Sequence, residues 1–297
     1  MQSAISSSPN PHNIHFYCSS GGNAGLAAVH SAAKLNRPCT VVVPLTTKPM
    51  MMEKIRAAGA TEVLQHGASW QEADDHLRNN IIASATEKGV ECIYVPPFDH
   101  PKIWKGHSSM IDEIAEQLSE LTGEQNAVPE VLACSVGGGG LFNGVMEGLD
   151  RHNWKNTRVL AVETKGTDSL AESVRQGSHI TLPAITSQAT CLGAKKVSTK
   201  TFELATSSEQ VQTLVLSDEE AMMGTWRLAE EERLLVELAC GVTVALCYGD
   251  RLKKALQREV SKDDKIVMIV CGGSNVTIDM VSQYKKDSAH VDAEPGQ

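Results

Sequence analysis

Four consecutive glycines, Gly137–Gly140, separate a buried-strand pattern ending at Val136 from an apolar-periodic segment that begins near Leu141. Only glycine lets four successive backbone N–H groups turn inward without Cβ clashes. Added to the positive end of the helix that follows, those donors form a cradle for one phosphate dianion. The stretch VLACSVGGGGLFNGV (131–145) lacks the Gly-Lys-Ser/Thr of a nucleoside-triphosphate loop, so it supplies neither the lysine nor the metal-binding hydroxyl such a ligand needs. The Gly-x-Gly-x-x-Gly spacing of a dinucleotide turn is also missing. A flexible strand-to-helix turn is the plain alternative, and the cradle is the stronger reading.

Short β-branched runs alternate with longer helical patterns along the rest of the chain, which predicts an α/β fold with mainly parallel strands. The expected strands are 14–18, 39–44, 62–65, 92–95, 130–136, 159–163, 211–216 and 265–271. The expected helices are 23–35, 49–58, 70–88, 108–121, 141–151, 218–232, 241–256 and 276–285. A length of 297 residues suits about two domains. The rigid, turn-rich PPFDHP (96–101) is a natural crossing between them. We expect a smaller domain at 1–104 and a larger one at 105–297, with a polar tail from Lys285.

Composition excludes several classes. Apolar residues make up 41% and charged residues 21%, which is ordinary for a folded domain. A net charge of −9 argues against binding nucleic acid through phosphate neutralisation. No apolar run approaches the ~18–20 residues of a membrane span, and MQSAISSSPNPHN is no secretory signal. The eight cysteines form no CxxC pair, and several sit in strand-like runs where cysteine acts as a small hydrophobe. Reduced thiols and a cytoplasmic setting are expected. The ten histidines share no helix face at metal-ligand spacing.

Three further strand ends carry polar chemistry. Cys18-Ser19-Ser20-Gly21-Gly22-Asn23-Ala24-Gly25 suits a carboxylate or another small anion, or else Ser20 or Asn23 merely caps the following helix. In IVMIVCGGSNVTID (266–279), Cys271 faces the ligand crevice of an α/β sheet, or Asn275 simply caps the last helix. Glu163 closes the strand 159–163 and is a site residue or a plain loop carboxylate. Four such strand ends together point to a cleft.

At these residues the chain resembles the pyridoxal-phosphate-dependent serine/threonine dehydratases, in particular the catabolic L-serine dehydratase (L-serine ammonia-lyase) group of the tryptophan-synthase-β-like fold, PLP fold type II. The likeness spans about Ile14 to Lys285. It rests on SSGGNAG (19–25), VVVP (41–44), YVPPFDHPKIWKGH (94–107), SVGGGGL (135–141), VET (162–164), LPAITSQATCLGAKKV (182–197) and VCGGSN (270–275). The resemblance implies that Gly137, Gly138, Gly139, Gly140 and Leu141 hold the cofactor phosphate. Asn23 would bond the pyridine 3′-oxygen, and Ser20, Gly21 and Asn23 the substrate carboxylate. Cys271 would lie against the pyridine nitrogen, where a thiol leaves the ring neutral and favours prompt β-elimination. Glu163, with carbonyls of Gly137, Thr167, Leu192 and Ala194, resembles the group's monovalent-cation site, K+ being the ion expected. The implied activity converts L-serine to pyruvate and ammonia, with L-threonine to 2-oxobutanoate as a side reaction, in a homodimer.

Two departures stand out. The family's Glu-Pro-Ala-Cys-Gly is Glu237-Leu238-Ala239-Cys240-Gly241 here, which removes a fixed φ ahead of a helix. The family's Schiff-base lysine lies in a Ser-Phe-Lys segment upstream of SSGGNAG, and the earliest lysine here is Lys34. That lysine is the family's base and covalent anchor, and general-base action alone contributes roughly 10²–10⁴ in rate. We therefore expect an N-terminally truncated form in which MQSAI is the middle of a helix. A lysine-free paralogue that binds cofactor or amino acid without turnover is the alternative, and a β-replacement enzyme of the cysteine synthase type is the enzymatic rival.

Overall fold

The computed structural model describes residues 1–291, so the end of the expected polar tail lies outside the described residues. The chain divides into two compact units, Met1–Pro97 and the residues from Phe98 onward. The division falls inside the Pro-rich crossing. The expected boundary after residue 104 falls a little later, within the helix Pro101–Thr122.

The smaller unit holds four parallel strands: β1 (Ile14–Cys18), β2 (Cys39–Val43), β3 (Glu62–Gln65) and β4 (Glu91–Tyr94), in the order β3-β2-β1-β4. Phe16 stands opposite Cys39 on one side and Ile93 on the other. Side chains alternate across the sheet, so Ile14, Phe16, Cys18, Val41 and Val43 enter one core while Tyr17 and Val42 enter another. Burial on both faces explains why β2 (CTVVV) lacks the polar alternation of a half-exposed strand.

The larger unit repeats the plan with β5 (Val131–Ser135), β6 (Arg158–Thr164), β7 (Val211–Leu216) and β8 (Ile266–Met268), all parallel in the order β7-β6-β5-β8. Leu132, Cys134 and Val159 pack against Phe142, Val145 and Leu149 of the helix Gly140–Arg151. On the other face, Ala133, Leu160 and Val162 meet Leu238, Val242 and Leu246. Two parallel four-stranded sheets confirm the expected α/β class.

Several boundaries move for identifiable reasons. The strand expected at 265–271 is confined to β8, although Ile269 N–H still bonds the Ala133 carbonyl at 2.9 Å. The helix expected at 108–121 begins at Pro101, because proline suits a first helical position and the His100 ring accepts the Lys102 N–H. It ends where Gly123 adopts φ 70°. The segment expected as one helix over 70–88 is Trp70–His76, a π-helical stretch Leu77–Ile82, and Ala83–Glu87. The helix expected over 241–256 starts earlier, as Leu238–Val244, and resumes as Arg251–Leu256 after the Tyr248-Gly249-Asp250 turn. Gln2–Ser7 is helical, and Ser169–Gln176 and Thr199–Ser207 are helices the periodicity did not mark. Among the described residues, no helix is long and apolar enough to cross a membrane.

Candidate active site

In the smaller unit, β1 empties into Ser19–Gly22, and the helix Asn23–Lys34 follows. Gly22 is the N-cap, so neither Ser20 nor Asn23 occupies the N-cap position itself. Ser20 Oγ instead accepts the Gly22 N–H at 3.3 Å. The loop folds back on its own helix. A Cβ on Gly25 would stand 1.8 Å from the Ser20 carbonyl oxygen, and one on Gly21 would stand 2.6 Å from Thr47 Oγ1. Beneath the loop, Ser19 is fully buried and its hydroxyl lies 3.4 Å from that of Tyr94. Tyr94 in turn donates to the buried Asp74 at 2.6 Å. Burial and that carboxylate push the Tyr94 hydroxyl well above its ordinary pKa.

In the larger unit, β5 ends at Ser135 and the glycine loop leads into the twelve-residue helix Gly140–Arg151. Among the described residues, nothing accepts a hydrogen bond from the backbone N–H of Gly137, Gly138, Gly139, Gly140 or Leu141. Five free donors at the positive end of a three-turn helix match a phosphate dianion. Gly139 holds φ 94°, a left-handed conformation natural to glycine. A residue missed as a site member at the sequence level, Phe98, packs on this loop: a Cβ on Gly138 would lie 2.3 Å from its ring. Trp104 Nε1 holds Phe98 in place through its carbonyl at 2.9 Å. The signal was there in YVPPFDHP, where only Phe98 is aromatic among turn residues.

Glu163 is wholly buried inside β6, which runs on to Thr164, so it is no loop carboxylate. Its Oε1 accepts the Leu170 N–H at 2.9 Å and its Oε2 the Ala171 N–H at 2.8 Å. Burial pushes its pKa up to about 8, reinforced by the charges of Asp168 and Glu172 and opposed by those two N–H bonds. Thr167 is buried beside it in sequence and donates to the Thr164 carbonyl at 3.0 Å. Gly137 approaches the short 3-10 turn Thr190–Leu192 closely, since a Cβ there would be 3.1 Å from Leu192 Cα. The Leu192 carbonyl accepts the Ala194 N–H at 2.8 Å. Among the described residues, no group of three or more His, Cys, Asp or Glu side chains converges on a metal position.

Cys271 lies just beyond β8 rather than on its tip. Its N–H donates to Cys240 Sγ at 3.1 Å. Desolvation and the neighbouring Cys240 push its thiol up to about 11, against a hydrogen bond with Ser135, so it is protonated at neutral pH. Asn275 does not cap the last helix: Thr277 does, accepting the Met280 N–H at 3.2 Å.

The loop of Cys271 is clasped by Glu237, a second residue that the sequence did not single out as a site member. Glu237 is buried, accepts the Asn275 N–H at 2.8 Å and the Cys191 thiol at 2.6 Å, and donates its own N–H to the Gly272 carbonyl at 3.0 Å. Glu237 is also the N-cap residue of Leu238–Val244. Leu238 occupies the first helical position, where the family carries proline, and the helix starts there regardless.

The protein-family description "Pyridoxal-phosphate dependent enzyme" matches residues 1–272. The chain is 43% identical over 265 residues to an L-serine dehydratase of Saccharomyces cerevisiae, covering 88% of this chain and 77% of that protein. It is 39% identical over 273 residues to a serine dehydratase-like protein of Mus musculus, covering 91% and 78%. Among solved structures, a fungal L-serine ammonia-lyase from Rhizomucor miehei superposes with a TM-score of 0.85 at 32% identity, covering 97% of this chain and 85% of that one. With two parallel four-stranded sheets, the family match and these relatives, the chain belongs to the pyridoxal-phosphate-dependent enzymes of fold type II.

Proposed function

We propose that this chain binds pyridoxal phosphate and L-serine as a serine/threonine dehydratase, the activity that yields pyruvate and ammonia from serine. The observation that carries this is the run of five unpartnered N–H donors at Gly137–Leu141, presented at the start of a long helix. When bound, the cofactor supplies an electron sink for the β-elimination. The protein's part is to hold and orient. Gly137, Gly138, Gly139, Gly140 and Leu141 take the phosphate, and Cys271 offers a neutral thiol to the pyridine nitrogen. Asn23 serves the 3′-oxygen, and Ser20, Gly21 and Asn23 serve the substrate carboxylate. Glu163 with the carbonyls of Gly137, Thr167, Leu192 and Ala194 takes K+. A cation there offsets the cost of ionising a carboxylate that burial holds protonated up to about pH 8. The smaller unit supplies the substrate residues and the larger one the phosphate residues. We also assign a homodimer and a cytoplasmic setting, in keeping with eight free cysteines.

A second reading concerns turnover. The earliest lysine is Lys34, in the last turn of the helix Asn23–Lys34, and no Ser-Phe-Lys segment precedes Ser19 in these residues. On this reading the residues named above bind and orient, and none of them is the family's base. Purified protein is mixed with pyridoxal phosphate, treated with borohydride and analysed by mass spectrometry, alongside a pyruvate assay with L-serine. Both readings expect cofactor binding; pyruvate formation belongs to the first, and reversible binding with no pyruvate to the second. Pyruvate formation would overturn the second reading, and absence of cofactor binding would overturn the first.

A further inference from the structure

Three buried side chains close a hydrogen-bonded ring against the glycine loop. Asn143, Ser198 and Thr201 are 2%, 3% and 0% exposed. Asn143 Nδ2 donates to Ser198 Oγ at 3.0 Å, and the Thr201 hydroxyl donates to Asn143 Oδ1 at 2.8 Å. Ser198 Oγ and Thr201 Oγ1 are 2.8 Å apart. Because the one hydroxyl proton of Thr201 is committed to Asn143, the third bond runs from the Ser198 hydroxyl to Thr201. The ring is thereby directional, and each hydroxyl both gives and receives.

The same residues grip the loop through its carbonyls. Ser198 N–H donates to the Gly138 carbonyl at 3.0 Å, and Asn143 N–H donates to the Gly139 carbonyl at 2.8 Å. Thr201 Oγ1 lies 1.9 Å from where a Cβ on Gly139 would stand, so the ring is packed directly on that glycine. In a planar trans peptide the C=O and the next residue's N–H point in opposite directions. Fixing the Gly138 carbonyl toward Ser198 therefore turns the Gly139 N–H away from the ring. Fixing the Gly139 carbonyl toward Asn143 does the same for the Gly140 N–H. Both of these donors are among the five left without a protein acceptor among the described residues.

We propose that Asn143, Ser198 and Thr201 are positioning residues for the cofactor phosphate: their side-chain ring fixes the Ser198 backbone and packs on Gly139, which holds the two peptide planes that these backbone bonds orient and so aims the N–H groups of Gly139 and Gly140. The side-chain polar atoms of all three are committed to one another. The inference rests on the reading of Gly137–Leu141 as a phosphate site and adds what holds that site in shape.

The test uses a ratio that general loss of structure does not move. Pyridoxamine 5′-phosphate and pyridoxamine differ only in the phosphate, and neither carries an aldehyde that surface lysines can capture. Calorimetric titration of each into the full chain gives the affinity advantage due to phosphate. We expect Thr201→Val, which keeps the shape and removes the hydroxyl, to lower that advantage about tenfold, and Thr201→Ser to keep it. Ser198→Ala, which retains the N–H to Gly138, is the second variant and should lower the ratio in the same direction. If the wild-type chain binds the two compounds equally, the phosphate reading itself fails. If it prefers the phosphorylated compound and both hydroxyl deletions leave the ratio unchanged, the positioning role fails alone.

Discussion

The ring of Phe98 occupies the space that a side chain at Gly138 would need, with ring carbons 2.3 Å from the Cβ position. Gly138→Ala therefore forces either the loop or the ring to move. Overpacking of this kind costs about 1–3 kcal/mol. We expect a lowered unfolding midpoint in urea together with weaker binding of pyridoxal phosphate. Adding Phe98→Leu should recover part of the stability, because the collision is with the ring. A double variant no more stable than Gly138→Ala would show that the strain lies elsewhere.

Gly25 meets the carbonyl of Ser20 more closely still, at 1.8 Å for an added Cβ. The obstacle is backbone, which cannot swing aside as a side chain does. Gly25→Ala should displace the Ser19–Asn23 loop and lower affinity for L-serine in the cofactor-loaded protein more than affinity for pyridoxamine 5′-phosphate, which loses only its Asn23 contact and keeps the Gly137–Leu141 site. Equal loss for both ligands would mean that the whole unit, rather than the loop, had been disturbed.

Glu237 joins Cys191 and Asn275 through one carboxylate. Glu237→Ala leaves the half-buried Asn275 N–H without its acceptor, a loss of about 1 kcal/mol. Amide hydrogen exchange should accelerate at residues 271–275 and remain unchanged in β1–β4. Glu237→Gln keeps an acceptor oxygen for Asn275 and should be milder. Exchange rates at 271–275 that match wild type in Glu237→Ala would remove the clasp from consideration.

His107, on the helix Pro101–Thr122, has its pKa lowered by burial. A histidine with a folded pKa below its unfolded value favours folding in its neutral form. That contribution is present above about pH 6.5 and is lost as pH falls through this value toward the lowered folded pKa. Thermal midpoints should thus decline between pH 7 and pH 5. His107→Gln should make that decline shallower. An identical pH profile for the two proteins would refute the assignment.

The parts readable in advance were those whose signal is local. β1, β3 and β7 match their expected limits because each is a short β-branched or apolar run bounded by turn residues. The glycine loop was readable because its chemistry belongs to the backbone. By contrast, Thr199–Ser207 contains Thr and Ser at several positions, residues of modest helix propensity, and gains its start from the Ser198 cap. Phe98, Glu237 and the Asn143–Ser198–Thr201 ring matter through partners distant in sequence, with Asn143 and Ser198 being 55 positions apart. No window of neighbouring residues contains such pairs. The π-helical stretch at Leu77–Ile82 escaped for another reason: over six residues its period is not separable from that of an α-helix.

The strand order β7-β6-β5-β8 also decides where the larger unit is exposed to its own kind. β8 spans three residues and β7 spans six, so the two outer ladders are unequal templates for another chain. Along β7, the Gln212 side chain reaches the Ala255 carbonyl at 3.0 Å and draws the helix Arg251–Leu256 over the first half. Val215, in the second half, is 39% exposed. Unwanted strand-to-strand association of partly unfolded protein should therefore begin at residues 213–216, and a lysine at position 215 is the substitution that would blunt it.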